Sequence, residues 1–598
     1  MGKSTAGTTS VAQRAADGRR PVKGGTVTWA CRPGFPPSAI FPFTPPERFG
    51  LRNPYEFQML MYRPLYWLGK DGGPDVDYDL SLGYPPRWSE DGRTVTVTLK
   101  PWRWSNGEPV CADNVMFWVN MLAVKGPRYG AYAPGYFPDN LTSYEKVSPD
   151  TVSFTFDRAY SKSWVLMNQL TLITPMPAAW DRVADDVPAH ASSRLEDVPA
   201  VYDYLVRQNG EWTEEGNETR TRWAASPIWS VVNGPWRLKS YSLGGTVVLA
   251  PNERYSGPNR PHLDEFRQVP ITSDEEQYER LRKGPDGPDA IQVGYLPFGL
   301  SADLIGDGNN PLAGHYRLVP QNAYAIRIMP VNYDNPAAAG RILRQAYVRQ
   351  ALQYALDQDT AIRDIYQGHA CRASGPVPLV PDSPYVSPAQ RANPIPFDIP
   401  RARRLLTEHG WDLSSTPGVC VRPGTGPGCA GDGIQAGDKL SFTVRYVQGD
   451  LALGKLVRLL AADAGKAGIE LTLEEVHGSV MVGQDHGEHS TREWEIHCWH
   501  GGWAYYGYPT GEMVFKAGAS SNFGHYSDAR AEELIAETVR SDDVTALFAY
   551  QDYLAEQVPA IWTPGFPLRL FEVAENLRGI EPVNPYGLIN PENWYYVE

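Results

Sequence analysis

The chain has 598 residues, 21% of them charged and 42% hydrophobic, with a formal net charge of −14. That length exceeds one ordinary domain and can bury a large core, while the acidity excludes a phosphate-reading nucleic-acid binder, which concentrates Lys and Arg. No run of eighteen apolar residues occurs, so no membrane-spanning helix is encoded.

Residues 2–23 are small and polar, lack a periodic apolar face, and are expected to form a flexible tether. No basic start followed by an apolar stretch is present, so no signal peptide is read here. Strand-forming sequence begins at Gly25-Thr26-Val27-Thr28-Trp29-Ala30. The stretch from Pro86 to Leu122 reads as a hairpin and then a helix. Asp91-Gly92 is a tight-turn dipeptide, and Val95, Val97 and Leu99 alternate with Thr94, Thr96 and Thr98. A second turn follows at Ser105-Asn106-Gly107. Asp113 is then placed to cap a helix whose apolar face runs Val115, Met116, Val119, Leu122.

Further along, helical patterns cover Arg341 to Tyr366 and the run after Pro400, with Asp398 as cap and Gly410 as stop. Leu440, Phe442, Val444 and Tyr446 alternate as a strand, Leu453 to Lys466 is helical, and Ile469 to Leu473 alternates again after Gly468. That order predicts a βαβ unit with a parallel pair of strands. Mixed strands and helices throughout predict an α/β fold. The 56 Gly and 53 Pro predict many loops, and the 18 Trp and 33 Tyr offer rigid contact area with a polar tip.

The 86–122 segment resembles the "(S/D)G-x-P-V-(T/S)-A-x-D-V" region of the extracytoplasmic solute-binding proteins of the peptide/nickel family, family 5. Cys111 and Asn114 depart from that pattern. The resemblance recurs at Asn233 to Leu238, Asn252 to Tyr255, Pro261 to Asp264, Tyr347 to Asp357 (with Gln358 replacing an Arg), Gly375 to Pro378, and Ala402 to Trp411. It implies a two-lobed periplasmic-binding-protein-like fold (type II, cluster C) with an extra α+β subdomain in the first lobe. On that reading 1–24 is the tether and 25–66, 216–325 and 566–598 build lobe I. Residues 67–215 form the extra subdomain and 326–565 form lobe II, with chain crossings near 326 and 566. It also implies capture of a peptide, a peptide-like solute or an oligosaccharide for an ABC permease and ATPase complex. The protein would be a monomer outside the cytoplasm, touching the membrane only through a lipid anchor, with Met1 standing where such lipoproteins carry the lipidated Cys. Ligand sensing without transport, binding of a metal chelate, and oligosaccharide hydrolysis are the alternatives.

The segment from His497 to Pro509 resembles the family's "G-W-x-A-D-Y-x-x-P", whose Asp pairs with the ligand α-ammonium in peptide binders. Here Tyr505 takes that position and no acid lies between His497 and Pro509. Trp499, His500, Trp503, Tyr505, Tyr506 and Tyr508 are expected to form one wall of the cleft. Their aromatic faces suit sugar rings, blocked peptides or a cation held by π contacts, rather than a free α-amine. Asn332 and Tyr333 are expected at the second pole, with Phe35 as a further candidate.

Cys420 and Cys429 enclose a Gly/Pro-rich loop with little to fold around, and a disulfide is the expected staple. The pairing of Cys31, Cys111, Cys371 and Cys498 is not legible. Five of the 11 histidines, His477, His486, His489, His497 and His500, cluster in sequence. His486-Gly487-Glu488-His489 looks like a metal pair, but a zinc site needs three or four convergent ligands, so neither metal nor cofactor is expected. No G-x-S-x-G, H-E-x-x-H or dinucleotide loop is present, so no enzyme is expected.

Overall fold

The structure is a computed structural model. It describes residues 19–32, 36–48, 52–210, 214–296, 310–448, 450–477, 481, 490–499, 502–505, 507–519, 521–565, 567 and 569–598.

After a two-residue strand at Pro21–Val22 comes β1 (Thr26–Ala30), which lies inside what becomes a seven-stranded sheet. The chain then builds a separate antiparallel sheet from the two-residue strand Arg87–Trp88, β2 (Thr94–Thr98), β3 (Leu141–Ser148) and β4 (Thr151–Phe156), with α1 (Ala112–Lys125) packed on it. The Asp91-Gly92 turn forms as read, with Gly92 at φ +68° and its N–H donating to Ser89 O. The cap of α1 differs from the expectation. Cys111 is the N-cap residue, and Asn114 Oδ1 accepts from Cys111 N at 2.9 Å and from Trp104 Nε1 at 3.0 Å. Asp113 sits one residue into the helix and pairs instead with Lys146. A neutral amide suits this buried double acceptor better than a carboxylate, whose desolvation costs more.

Residues 236–321 supply β5 (Trp236–Tyr241), β6 (Val247–Pro251), β7 (Glu265–Val269), β8 (Val293–Leu296) and β9 (Tyr316–Gln321). After three more residues the chain enters β10 (Ala325–Pro330), which belongs to a different sheet. The helical pattern over 341–366 breaks into Ala338–Leu343, α2 (Ala346–Tyr354), and a short turn with a wide turn behind it. The helix α3 (Ile399–Glu408) is capped as read, Asp398 accepting from Arg401 N. The βαβ unit also forms: β11 (Ser441–Val447), α4 (Leu451–Ala467) and β12 (Glu470–Val476), with β11 and β12 parallel and Ser441 opposite Glu470. Asp450 caps α4 and Gly468, at φ +92°, closes it.

β13 (Ile496–Cys498) runs parallel to β11, and β14 (Gly502–Ala504) pairs antiparallel with β10. Two helices, α5 (Ala529–Arg540) and α6 (Val544–Gln557), precede β15 (Ala560–Thr563). The chain then returns to the first sheet as β16 (Arg569–Ala574). The seven strands lie in the order β5-β6-β7-β1-β8-β16-β9. The second lobe holds β14-β10-β15 and β12-β11-β13, tied together by a bridge between Val331 and Ile496. The larger apolar core, running from Val27 to Trp594, also takes in Ile326, Ile328, Tyr505, Tyr508, Leu534, Tyr550 and Trp562, so it joins the two lobes, while a second core from Met329 to Ile561 lies within the second lobe.

Two buried ion pairs stitch distant parts of the first lobe, Arg63 to Glu592 and Arg569 to Glu56. Neither side chain of the Arg63–Glu592 pair is exposed at all.

All six cysteines are free thiols. The expected staple between Cys420 and Cys429 is therefore corrected. The loop is closed by its backbone: Cys420 N donates to Asp438 O, Ala430 N to Arg422 O, and Gly431 N to Gly424 O, all within 3.0 Å. Cys420 and Ala430 are buried in the second core, which gives the loop the anchorage its composition did not suggest.

Candidate functional site

A cavity of ≈ 270 Å³ lies between residues 130–172, which follow and join the antiparallel sheet, and residues 503–513 of the other lobe. Each wall is placed by a local device. On one side Ser161 caps a short helix, its Oγ accepting from Trp164 N, and this sets Trp164, Asn168 and Gln169 along the cavity. On the other, β14 brings Trp503 opposite Ile326, and Tyr505 N donates to Tyr324 O at 2.9 Å. That pairing needs glycine at 502, since a Cβ there would lie 1.8 Å from Ile326 O.

The walls also touch directly. Asn168 Nδ2 donates to Tyr508 O, and Trp164 Nε1 donates to Glu512 Oε1 at 2.7 Å. Gly507, at φ +152°, lies so close that a Cβ would come within 2.6 Å of Met167 Cβ. Beyond the cavity, Ser161 N donates to Val539 O, and Tyr385 Oη to Asp75 Oδ1 at 3.2 Å. These contacts describe a closed cleft.

Of the residues expected on the aromatic wall, Trp503, Tyr505 and Tyr508 line the cavity. Tyr505 is buried, its hydroxyl donating to Pro376 O, and burial pushes its pKa far up. Tyr508 packs edge-on against Tyr385 at 5.2 Å, and burial pushes its hydroxyl up to about 12. Trp499 is not among the lining residues; it packs edge-on against Phe523 at 5.4 Å. Phe35, His500 and Tyr506 lie outside the described residues, as do His486 and His489.

Asn332 and Tyr333 do not form a second pole. Asn332 is fully buried. Its Nδ2 donates to the carbonyls of Arg492 and Trp494, while its Oδ1 accepts from Asp334 N and Arg492 Nη2. Tyr333 donates to Pro559 O, and its ring packs on Tyr526 and Arg349. Both hold the start of the second lobe together, because the buried amide and hydroxyl must find partners there.

The first-lobe wall contributes Tyr132, Tyr136 and Trp164, none of which the sequence singled out. The segment from His497 to Pro509 carries no acid, but the cavity does. Glu512, three residues beyond Pro509, lines the cavity and is only 7% exposed. Desolvation raises its pKa, against the opposing pull of the Thr510 hydroxyl, the Trp164 indole and the Lys516 ammonium. An acid in a Thr-Gly-Glu turn looks like any surface carboxylate until Trp164 packs over it. Among the described residues no cluster of three or more His, Cys, Asp or Glu side chains could hold a metal.

A smaller apolar cavity of ≈ 40 Å³, lined by Tyr55, Tyr66, Trp67 and Tyr586 among others, adjoins the first and shares Ala131 and Leu172 with it.

Protein XP55 of Streptomyces lividans is 26% identical over 426 residues, 69% of this chain and 64% of that protein. The glutathione-binding protein GsiB of Salmonella typhimurium is 23% identical over 356 residues, 58% of this chain and 56% of that protein. The chain thus spans less than two thirds of the length of these curated relatives. Among solved structures, the oligopeptide-binding protein AppA from Bacillus subtilis, in complex with a nonapeptide, matches with a TM-score of 0.62 at 19% identity. That match covers 97% of this chain and 100% of AppA. The ABC transporter substrate-binding protein CtaP from Listeria monocytogenes matches with a TM-score of 0.69 at 18% identity, covering 96% and 100%. These likenesses show the two-lobed α/β fold. The profile of the bacterial extracellular solute-binding proteins, family 5 (middle), matches residues 80–524. With that match covering just under three quarters of its length, the chain belongs to the family 5 bacterial extracellular solute-binding proteins.

Proposed function

We propose that this protein is the substrate-binding component of an ABC importer, which captures a small peptide or peptide-like solute between its lobes and delivers it to a permease outside the cytoplasm. The observation that carries the reading is the cavity closed off between Trp164 and Asn168 on one lobe and Trp503, Tyr508 and Glu512 on the other. Its ≈ 270 Å³ falls just below the roughly 300–1,000 Å³ usual for ligand pockets, which favours a short ligand over a long peptide. Relatives named for glutathione, oligopeptides and a murein tripeptide point to the same chemical class.

In this role residues 25–66, 216–325 and 566–598 act as one lobe, carrying 67–215 as a subdomain, and 326–565 act as the other. Two crossings, after β9 and after β15, give a hinge on which the lobes can turn. Ligand shifts the population toward the closed form by binding that form better. Trp503, Tyr505 and Tyr508 serve as the aromatic wall, with His500 and Tyr506 beside them in sequence.

Native mass spectrometry of protein purified without denaturation tests the reading, with Trp503→Ala as the comparison. A small organic solute bound to the wild type and lost from the variant supports it. A solute retained equally by both places ligand binding elsewhere and overturns it.

A further inference from the structure

A second cavity, of ≈ 190 Å³, lies apart from the interlobe one and shares no lining residue with it. Its walls are the hairpin that pairs Trp67 with Asp77, Asn259, and the C-terminal run from Gly579 to Trp594, with Trp29 of β1 and Phe571 of β16. None of them comes from residues 326–565, so on the lobe assignment above the whole space stands on the first lobe. The walls are fitted to each other. Asn584 Nδ2 donates to Leu68 O at 2.7 Å while its Oδ1 accepts from Tyr586 N at 2.9 Å, which rivets the C-terminal run to the hairpin. That approach requires glycine at 69, at φ +96°, where a Cβ would lie 1.9 Å from Asn584 Nδ2.

The lining combines aromatic and polar groups and contains no Lys, Arg or His. Trp29 and Trp594, stacked at 5.8 Å, supply apolar surface beside Trp67. Asp71 and Asn259, both exposed, and the half-buried Asn593 line the same space. Among the described residues no side-chain hydrogen bond engages any of these three, so they are both reachable and uncommitted. What they can bind follows from their hydrogen-bonding capacity. An anion finds no cation here and meets the Asp71 carboxylate. A metal ion lacks ligands, since no group of three His, Cys, Asp or Glu side chains converges among the described residues. An ammonium could use the acceptors but would leave the amide N–H groups of Asn259 and Asn593 idle. A hydroxyl both donates and accepts, so a ring carrying several of them matches the carboxylate and the amides together, with its C–H surface toward the indoles. The volume, below the roughly 300–1,000 Å³ usual for ligand pockets, suits one such ring rather than a chain of them.

We propose that this cavity is a second binding site, taking a single neutral sugar ring held by Asp71, Asn259 and Asn593 against the tryptophans. Because the site stands on the first lobe alone, a sugar there neither competes with the solute of the interlobe cleft nor waits for closure.

The test uses the full chain and a pool of D-glucose, D-galactose, D-mannose and N-acetyl-D-glucosamine, with putrescine as the cationic control. Saturation-transfer NMR identifies which of these bind, and calorimetry gives the affinity. Asp71 and Asn259 lie at φ +52° and +53°, a region open to glycine, so Asp71→Gly and Asn259→Gly delete the side chains without straining the backbone. Each should weaken the bound sugar by about fivefold or more, the usual worth of one hydrogen bond. Trp503→Ala, in the interlobe cleft, should not change the affinity for the sugar. No sugar bound, or a sugar whose affinity ignores both glycine variants, overturns the proposal. Loss of the sugar through Trp503→Ala would place it in the interlobe cleft, and putrescine bound here in preference to the sugars would make this a cation site; either result also overturns it. Failure on any of these counts leaves the reading of the interlobe cleft standing, because that reading is decided by the native solute and Trp503→Ala.

Discussion

Asn168 and Tyr508 exchange two hydrogen bonds across the cleft: Asn168 Nδ2 donates to Tyr508 O at 3.0 Å, and Tyr508 N donates to Asn168 Oδ1 at 2.8 Å. The pair mimics one rung of an antiparallel ladder, with a side-chain amide standing in for one strand. It bridges the two walls of the cavity, so opening the cleft there would break it. Such bonds are worth about 0.5–1.5 kcal/mol each, a sum small enough to be reversible and large enough to bias an equilibrium.

Asn168→Ala should therefore favour the open form. Small-angle scattering should show a larger radius of gyration than for the wild type under the same conditions. Affinity for the native solute should fall by roughly 30-fold, the equivalent of about 2 kcal/mol. An unchanged radius and an unchanged affinity would show that the pair does not hold the cleft.

The two tryptophans of the aromatic segment should separate. Trp503 is half-buried and lines the cavity, and truncating an aromatic anchor that a ligand covers costs roughly 2 kcal/mol, so Trp503→Ala should weaken solute binding about 30-fold. Trp499 packs on Phe523 away from the lining, so Trp499→Ala should lower the unfolding midpoint more than it lowers affinity. Calorimetric titration and thermal unfolding on both variants would expose a reversed order.

Glu572, buried in β16, has one oxygen bonded by Asn310 Nδ2 at 2.8 Å, and desolvation pushes its pKa from 4.5 up to about 7. Because the folded pKa is raised, the folded chain keeps a proton that the unfolded chain has released between pH 4.5 and about 7. Stability from this group is fully present below that window and is lost as pH rises through it, by at most roughly 3 kcal/mol. Glu572→Gln should remove this slope. Urea unfolding should show the variant gaining on the wild type from pH 5 to pH 8; a constant gap would assign the slope to other groups.

The Arg63–Glu592 pair is wholly buried, so Glu592→Ala leaves an uncompensated guanidinium stacked on Trp67. The expected cost is about 3–5 kcal/mol. Removing the half-exposed partner of Lys146 by Asp113→Ala should cost about 1 kcal/mol or less. Comparable denaturant midpoints for the two variants would contradict the burial argument.

Some of this protein was legible in short stretches of its sequence, and the reason is that the governing interactions are local. Asp450, the apolar spacing of α4 and Gly468 fix a capped helix within one segment, and the alternation on either side fixes the strands of the βαβ unit. The Asp91-Gly92 turn is likewise decided by neighbours. Blocks of residues such as those from Tyr347 to Asp357 mark the family for the same reason, each being a contiguous element. Trp503, Tyr505 and Tyr508 could be placed at the cleft because they share one strand-and-turn segment.

Other features were decided only when distant segments met. Glu512 became a cleft residue through Trp164, 348 positions earlier in the chain, and without that indole it reads as a solvated acid. Asn332 looked available for a ligand until Arg492 and Trp494 consumed its amide. Cys420 and Cys429 looked like a staple until backbone hydrogen bonds and the second core closed the loop without one. Hydrophobic periodicity and caps act over a few residues and can be read directly. Burial, the satisfaction of polar groups and the sign of a pKa shift depend on what packs opposite, which the order of residues along one segment does not contain.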